Sequence, residues 1–275
     1  MIPLPRAAVA LSVSFPVRQF WNCRWWRRLA GMVLGGVGLL GGAGLAGAQE
    51  GIRVAVASNF LPVLRDIAAR FETATGGRVV LIAGSTGKLY AQIVNGAPFD
   101  VFFAADVRRP EQLERAGRAR PATRFTYAFG KLVLWSAGRF DVDDYVDLLT
   151  HGRFRRLAVA QPKLAPYGRA AQEVITALGL DLRLRGRLVW GESVAQVYQF
   201  VHSHNAEWGF LAWSQVYRQG EPVRGSYWLV PQTLYRPIAQ QAVLLQDKGI
   251  ARQFLAFVRQ EAAVKIILSY GYGVP

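Results

Sequence analysis

The sequence predicts an α/β protein of two lobes joined by two crossover strands, and three observations carry this. Between residues 52 and 117 the chain runs three times through an apolar strand, a polar turn and a helix-spaced apolar stripe, which implies a parallel sheet wrapped by helices. Two long strands, 127–136 and 237–245, break that rhythm; the first leads out into a second set of strands and helices and the second leads back. Four strand exits, two in each half, are set against a helix N-terminus, at 58–59, 84–88, 166–168 and 191–194. In open parallel sheets ligands bind beyond the carboxyl ends of the strands, so these four turns are the candidate site.

Residues 52–57 form a short β-branched run leading into Ser58-Asn59, after which Leu61, Leu64, Ile67, Ala68 and Phe71 recur at helical spacing. Asn59 reads as the N-cap, Pro62 falls in the first turn where its missing N–H costs nothing, and Gly76-Gly77 ends the helix. The second strand, 78–83, feeds Gly84-Ser85-Thr86-Gly87-Lys88 and a helix carrying Leu89, Tyr90, Ile93 and Val94. That turn aims backbone N–H groups, two hydroxyls and the positive end of a helix dipole at one point, an arrangement suited to an anion. The third unit is the apolar run 99–104, broken by Asp100, with Asp106 capping a helix that reaches Gly117.

In the second half, 157–161 reads as a strand, followed by a helix from Gly168 with Ala171, Val174, Ile175 and Leu178 on one face. Residues 188–190 form another strand, and a helix from Ser193 carries Val194, Val197, Tyr198 and Val201. A strand or strand-turn at 206–213 and a short run at 227–230 precede the return, and helices bearing Phe254, Leu255, Val258, Ala262, Ile266 and Ile267 complete the first lobe. The division is then 49–131 with 233–275 for lobe 1 and 132–232 for lobe 2.

Residues 1–48 stand apart. Arg24, Arg27 and Arg28 precede an apolar run over 29–45, and Ala46-Gly47-Ala48 offers a small-x-small cleavage site, the pattern of a secretory signal peptide cleaved near Ala48. A retained anchor is the competing reading, but an apolar core of about 17 residues thinned by glycine is at the short end for a span. The only cysteine, Cys23, lies in this presequence, which excludes disulfides, thiol catalysis and cysteine-ligated metals from the rest. The formal charge of +15 falls to +10 after residue 48, because five arginines and no acid precede it. The remaining arginines are scattered and the chain is exported, so this surplus reads as a solvated basic surface and not as a nucleic-acid interface.

Several chemistries are refused. Gly84 to Lys88 looks like half a phosphate-binding P-loop, but Ile82 and Leu89 occupy positions that need Gly and Ser or Thr. His202 and His204, two apart, diverge on a helix and are expected at the surface, and His151 before Gly152 reads as a loop residue. No Gly-x-Ser-x-Gly elbow is present for a hydrolase, and Asp143-Asp144 most simply caps a helix.

The combination of Ala-Ser-Asn at 57–59, Gly-Ser-Thr-Gly-Lys-Leu-Tyr-Ala-Gln-Ile at 84–93, Phe-Asp-Val-Phe-Phe-Ala-Ala-Asp at 99–106 and Pro-Tyr-Gly at 166–168, in this order, resembles the periplasmic molybdate-binding proteins of ABC transporters. The resemblance implies a type II periplasmic-binding fold whose two lobes close on a tetrahedral oxyanion held by neutral hydroxyl and N–H donors, with no direct cation ligands. It implies a periplasmic, non-enzymatic and monomeric receptor without a cofactor, which captures molybdate, and tungstate with it, for a membrane permease. A receptor for sulfate or another tetrahedral oxyanion is the alternative. Carried over by motif, the contacts are Ser58, Asn59, Ser85 and Thr86 from the first lobe and Tyr167, the backbone at Val194 and Ala158 from the second. One branch of the family places a tyrosine after the Trp208-Gly209-Phe210-Leu211 region, where this chain has Ala212 and Trp213; Tyr167 fits the other branch. Lys88 is expected to face solvent or a carboxylate, leaving the cage neutral.

Overall fold

The computed structural model describes residues 51–275 apart from Arg153 and Pro222; the signal-peptide reading of 1–48, its cleavage site and Cys23 lie outside the described residues. The first three units are β1 (Gly51–Ala57), α1 (Leu61–Thr75), β2 (Arg78–Gly84), α2 (Thr86–Val94), β3 (Val101–Ala104) and α3 (Arg108–Arg115). β4 (Phe125–Gly130) and β5 (Leu132–Ser136) follow, then α4 (Tyr145–His151), β6 (Leu157–Ala160), α5 (Pro166–Ala177), α6 (Asp181–Leu184), β7 (Leu188–Gly191), α7 (Val194–His202), β8 (Trp208–Ala212) and β9 (Ser226–Leu229). β10 (Ile238–Leu244), α8 (Gly249–Val258) and α9 (Glu261–Ser269) complete the chain.

Two five-stranded sheets result, ordered β2-β1-β3-β10-β4 and β7-β6-β8-β5-β9. β1 runs parallel to β2 and β3, while β10 is antiparallel to both β3 and β4. In the second sheet β6 is parallel to β7 and β8, and β5 is antiparallel to β8 and β9. The long strand expected at 127–136 is two strands broken at Lys131: its first half belongs to one sheet and its second half to the other. Likewise β10 lies wholly in the first sheet, so the return crossing is the irregular segment before it.

β1 shows why the first sheet must be covered on both faces. Ile52, Val54 and Val56 join a core with α1, α8 and α9, whereas Ala55 packs with Leu89, Ile93 and Leu113 of α2 and α3 on the opposite side. The second sheet has one continuous core around Val133, Val159, Ile175, Val197 and Phe210. In the same core as Ile52 and Val54, Phe60 packs against Tyr127 and Tyr272, with ring centroids 4.4 and 5.5 Å away.

Two helix starts differ from expectation. α1 is capped at Phe60 without a side-chain bond, because the Asn59 carboxamide is drawn into tertiary contacts described below. For α3 the boundary residue is Val107, although the Asp106 carboxylate does accept from the Arg109 N–H at 3.1 Å. Asp144 and Ser193 cap α4 and α7 as their spacing predicts. His202 and His204 are exposed, and no group of three or more metal-ligating side chains occurs among the described residues. No described helix is long and apolar enough to cross a membrane.

Candidate functional site

Ser85 is the N-cap of α2: extended at φ −68°, ψ 146°, its hydroxyl oxygen accepts from the Lys88 N–H at 3.4 Å. Thr86, the first helical residue, accepts from the Ala105 N–H at 3.1 Å through its hydroxyl oxygen. Both residues are buried. In each case a backbone N–H occupies the oxygen, so the hydroxyl proton is left to donate elsewhere. Among the described residues the backbone N–H groups of Asn59, Ser85 and Thr86 meet no protein acceptor, while Ser58 donates to the Gly84 carbonyl at 3.0 Å and fixes the two turns side by side.

The second lobe repeats the device. Ser193 caps α7 and accepts from the Gln196 N–H at 3.4 Å, and the N–H of Val194 opens the helix. The Val194 carbonyl is held by the Gln215 carboxamide at 3.1 Å. Tyr167 lies in the first turn of α5, almost fully buried, and its hydroxyl accepts from Gln240 Nε2 at 3.1 Å. This approach requires Gly130, since a Cβ there would lie 2.1 Å from the Tyr167 hydroxyl.

Asn59 enters the site differently from what its sequence position suggests. Its Nδ2 donates to Gln240 Oε1 at 2.8 Å and to the Tyr272 hydroxyl at 2.9 Å, which uses both amide protons and leaves only its backbone N–H for a ligand. Its carbonyl accepts from Tyr272 at 2.9 Å and from Ser214 of the second lobe at 3.2 Å. Tyr127 donates toward Gln240 Oε1 at 3.0 Å and the Ala104 carbonyl at 3.1 Å. Asn59, Tyr127, Tyr167, Ser214, Gln240 and Tyr272 thus form one buried polar network at the junction of the lobes. Burial drives the Tyr127 and Tyr167 hydroxyls well above their ordinary pKa and Tyr272 up to about 12, so all three stay neutral at physiological pH.

Ala158 does not join this group. It sits in the interior of β6, two residues before the strand ends, paired to Val189 on one side and Gly209 on the other and without exposed surface. Its backbone is committed to the sheet, and the strand exit falls beyond Ala160. Conversely, Gln240, Tyr272, Ser214 and Tyr127 were invisible as site residues in the sequence. The available signal was Gln240-Gln241, two amides within an otherwise apolar strand.

Around these turns the lobes touch. The Gly87 N–H donates to the Leu164 carbonyl at 2.8 Å, and the Lys88 ammonium meets the Glu192 carboxylate at 3.1 Å at the exposed rim, as expected for a lysine turned away from a neutral cage. Beneath them Arg109 pairs with Asp106 at 2.5 Å through Nη1 and donates to the Lys163 carbonyl at 2.7 Å through Nη2, with both charged side chains buried.

Residues 52–273 match the family model of bacterial extracellular solute-binding proteins. The molybdate-binding protein ModA of Azotobacter vinelandii is 48% identical over 242 residues, covering 87% of this chain and 95% of that protein. The chain belongs to this family. The ModA protein of Rhodobacter capsulatus is 44% identical, covering 85% of this chain and 92% of its own. The solved periplasmic molybdate-binding protein of Azotobacter vinelandii superposes with a TM-score of 0.79 at 42% identity, covering 82% of this chain and 99% of that structure. The type II periplasmic-binding architecture read from the sequence therefore holds: two mixed sheets with flanking helices, as in that structure.

Proposed function

We propose that this protein is a periplasmic receptor that captures molybdate between its lobes, takes tungstate as well, and delivers the ion to the permease of an ABC transporter. The observation that carries the reading is the polarity of the cleft. Ser85, Thr86 and Tyr167 each have their oxygen occupied by an N–H donor, and the N–H groups of Asn59, Ser85, Thr86 and Val194 are unspent. Such a cage offers protons and no acceptor, which suits an oxyanion already fully deprotonated at neutral pH and disfavours one that must donate a proton of its own.

The ligand contacts we assign are the Ser58-Asn59 turn, Ser85, Thr86, Tyr167 and the backbone at Val194. Binding needs no cofactor, no resident metal and no bond-making step, and the receptor acts as a monomer after cleavage near Ala48. The interlobe contacts of Gly87, Lys88 and Arg109 correspond to hinge closure over the ion. Calorimetric titration of the processed protein with sodium molybdate, tungstate, sulfate and phosphate tests this directly. Tight 1:1 binding of the first two is expected; binding of sulfate or phosphate in preference to molybdate overturns the assignment.

A further inference from the structure

We propose that Gln240 is a positioning residue that sets the direction of the Tyr167 hydrogen bond, turning a hydroxyl that could either give or take a proton into an obligate donor to the bound oxyanion. This inference rests on the molybdate reading above. The amide is fully buried, with one side facing Asn59 and Tyr127 and the other facing Tyr167. Gln240 Oε1 accepts from Asn59 Nδ2 at 2.8 Å and from Tyr127 at 3.0 Å. Those donors hold the oxygen end of the amide, and so Nε2, which can only donate, faces Tyr167 at 3.1 Å. The Tyr167 proton must then leave on the side away from Gln240, where the Tyr272 hydroxyl is also a neighbour. Tyr272 already accepts from Asn59 at 2.9 Å and from Ser214 at 2.8 Å, so both its lone pairs are taken and the cleft is the open direction.

Which end of a glutamine amide is oxygen is decided by its partners. With Asn59 and Gln240 both turned over, Tyr167 would donate to Gln240 and present lone pairs to the cleft, which an oxyanion repels. A bound oxyanion therefore selects the arrangement described here, and Gln240 transmits that choice to Asn59 and Tyr272. The backbone is shaped for it. The pairing of β10 with β4 shifts register between Gln240 and Gln241, and such a bulge re-aims a side chain. Gln240 turns into the lobe junction, whereas Gln241 bonds Arg124 and Thr126. Gly130 keeps the space open, since its added Cβ would also come within 2.7 Å of Gln240 Nε2.

The test is a double-mutant cycle on the processed protein with sodium molybdate at pH 8, using Gln240→Glu, Tyr167→Phe and the pair, with thermal melting of every variant. A carboxylate offers only acceptors, takes the Tyr167 proton, and also repels the ion by charge; the repulsion is present with or without the tyrosine hydroxyl, so the cycle cancels it. Gln240→Glu is expected to weaken binding by about 10-fold more in the tyrosine background than in the phenylalanine background, the weight of one hydrogen bond to a charged group. Equal losses in the two backgrounds overturn the proposal. If Gln240→Glu melts too low to measure, Gln240→Met in the same cycle decides, with an expected loss that disappears when residue 167 is Phe. Wild-type protein that fails to bind molybdate refutes the proposed function, whereas normal wild-type binding with unchanged affinity in Tyr167→Phe refutes only the role assigned to Gln240 and Tyr167.

Discussion

The two lobes present the same local device and equip it differently. In both, a strand ends, a serine caps a nine-residue helix and accepts from the third N–H at 3.4 Å, and the first helical N–H points outward. In the first lobe that helical residue is Thr86, which adds a hydroxyl; in the second it is Val194, which adds none. The second wall instead receives its hydroxyl from Tyr167, on a separate helix, and that hydroxyl is fixed by Gln240 from the first lobe's sheet. One wall is thus built from residues adjacent in sequence, and the other is completed only when distant parts of the chain meet. A locally built wall is insensitive to lobe geometry, while the second depends on the hinge.

That contrast can be broken at several points. Removing both first-wall hydroxyls, Ser85→Ala with Thr86→Ala, is expected to cost roughly 1.5–3 kcal/mol of molybdate affinity per donor, since each leaves a charged oxygen unmatched; titration calorimetry measures it, and unchanged affinity would show that this turn is not the ion's contact. Arg109→Ala tests the bond that ties the walls together beneath the cleft. It leaves Asp106 buried and unpaired, so chemical denaturation should show a loss of ~3–5 kcal/mol in stability. Ser193→Ala should cost about 1 kcal/mol of stability, the ordinary value of an N-cap. Its effect on affinity should be far smaller than that of the Ser85 and Thr86 pair, because the donors assigned to the second wall in the proposed function are N–H groups and Tyr167; an equal affinity loss would erase the distinction between the walls.

At the rim, Lys88→Met removes an exposed ion pair worth about 0.2–1 kcal/mol. It should speed molybdate release modestly at low salt and not at high salt, which stopped-flow dissociation at two ionic strengths would read. The smallest effect at neutral pH belongs to Tyr272, whose pKa burial raises from 10.0 to about 12. A raised folded-state pKa stabilises the protein while the hydroxyl is protonated, so this contribution is complete below pH 10 and is lost as the pH climbs toward 12. Melting temperatures should be level to about pH 9 as far as this group is concerned and fall beyond 10, with a shallower fall in Tyr272→Phe.

Most of the fold was legible because its signals are periodic and local: strand runs of four to seven residues, apolar stripes at helical spacing, and serine or aspartate caps. The four turns were legible for the same reason. What the sequence hid depends on separation. Asn59 and Gln240 are 181 positions apart, and Gln240 and Tyr167 are 73 apart, yet each pair makes a buried hydrogen bond. Asn59 misled because asparagine after a strand is a good cap by propensity, and tertiary partners outbid the helix for its amide. Ala158 was carried over by the resemblance alone; it stood inside the strand read at 157–161, as it stands inside β6.

The position of β10 governs the order in which the molecule can assemble. It is inserted between β3 and β4, yet it follows every strand of the second sheet in the chain. The second sheet draws all five of its strands from the unbroken run between β5 and β9, so its contacts close shorter loops. The first sheet remains in two pieces, β2-β1-β3 and β4, until a strand more than a hundred residues downstream arrives to bridge them. Because long-range pairing must overcome loop closure before any contact rewards it, the first lobe is the slow one to fold. A chain threaded outward from its N-terminus would carry that lobe, with Ser85 and Thr86 on it, as an incomplete sheet until β10 follows.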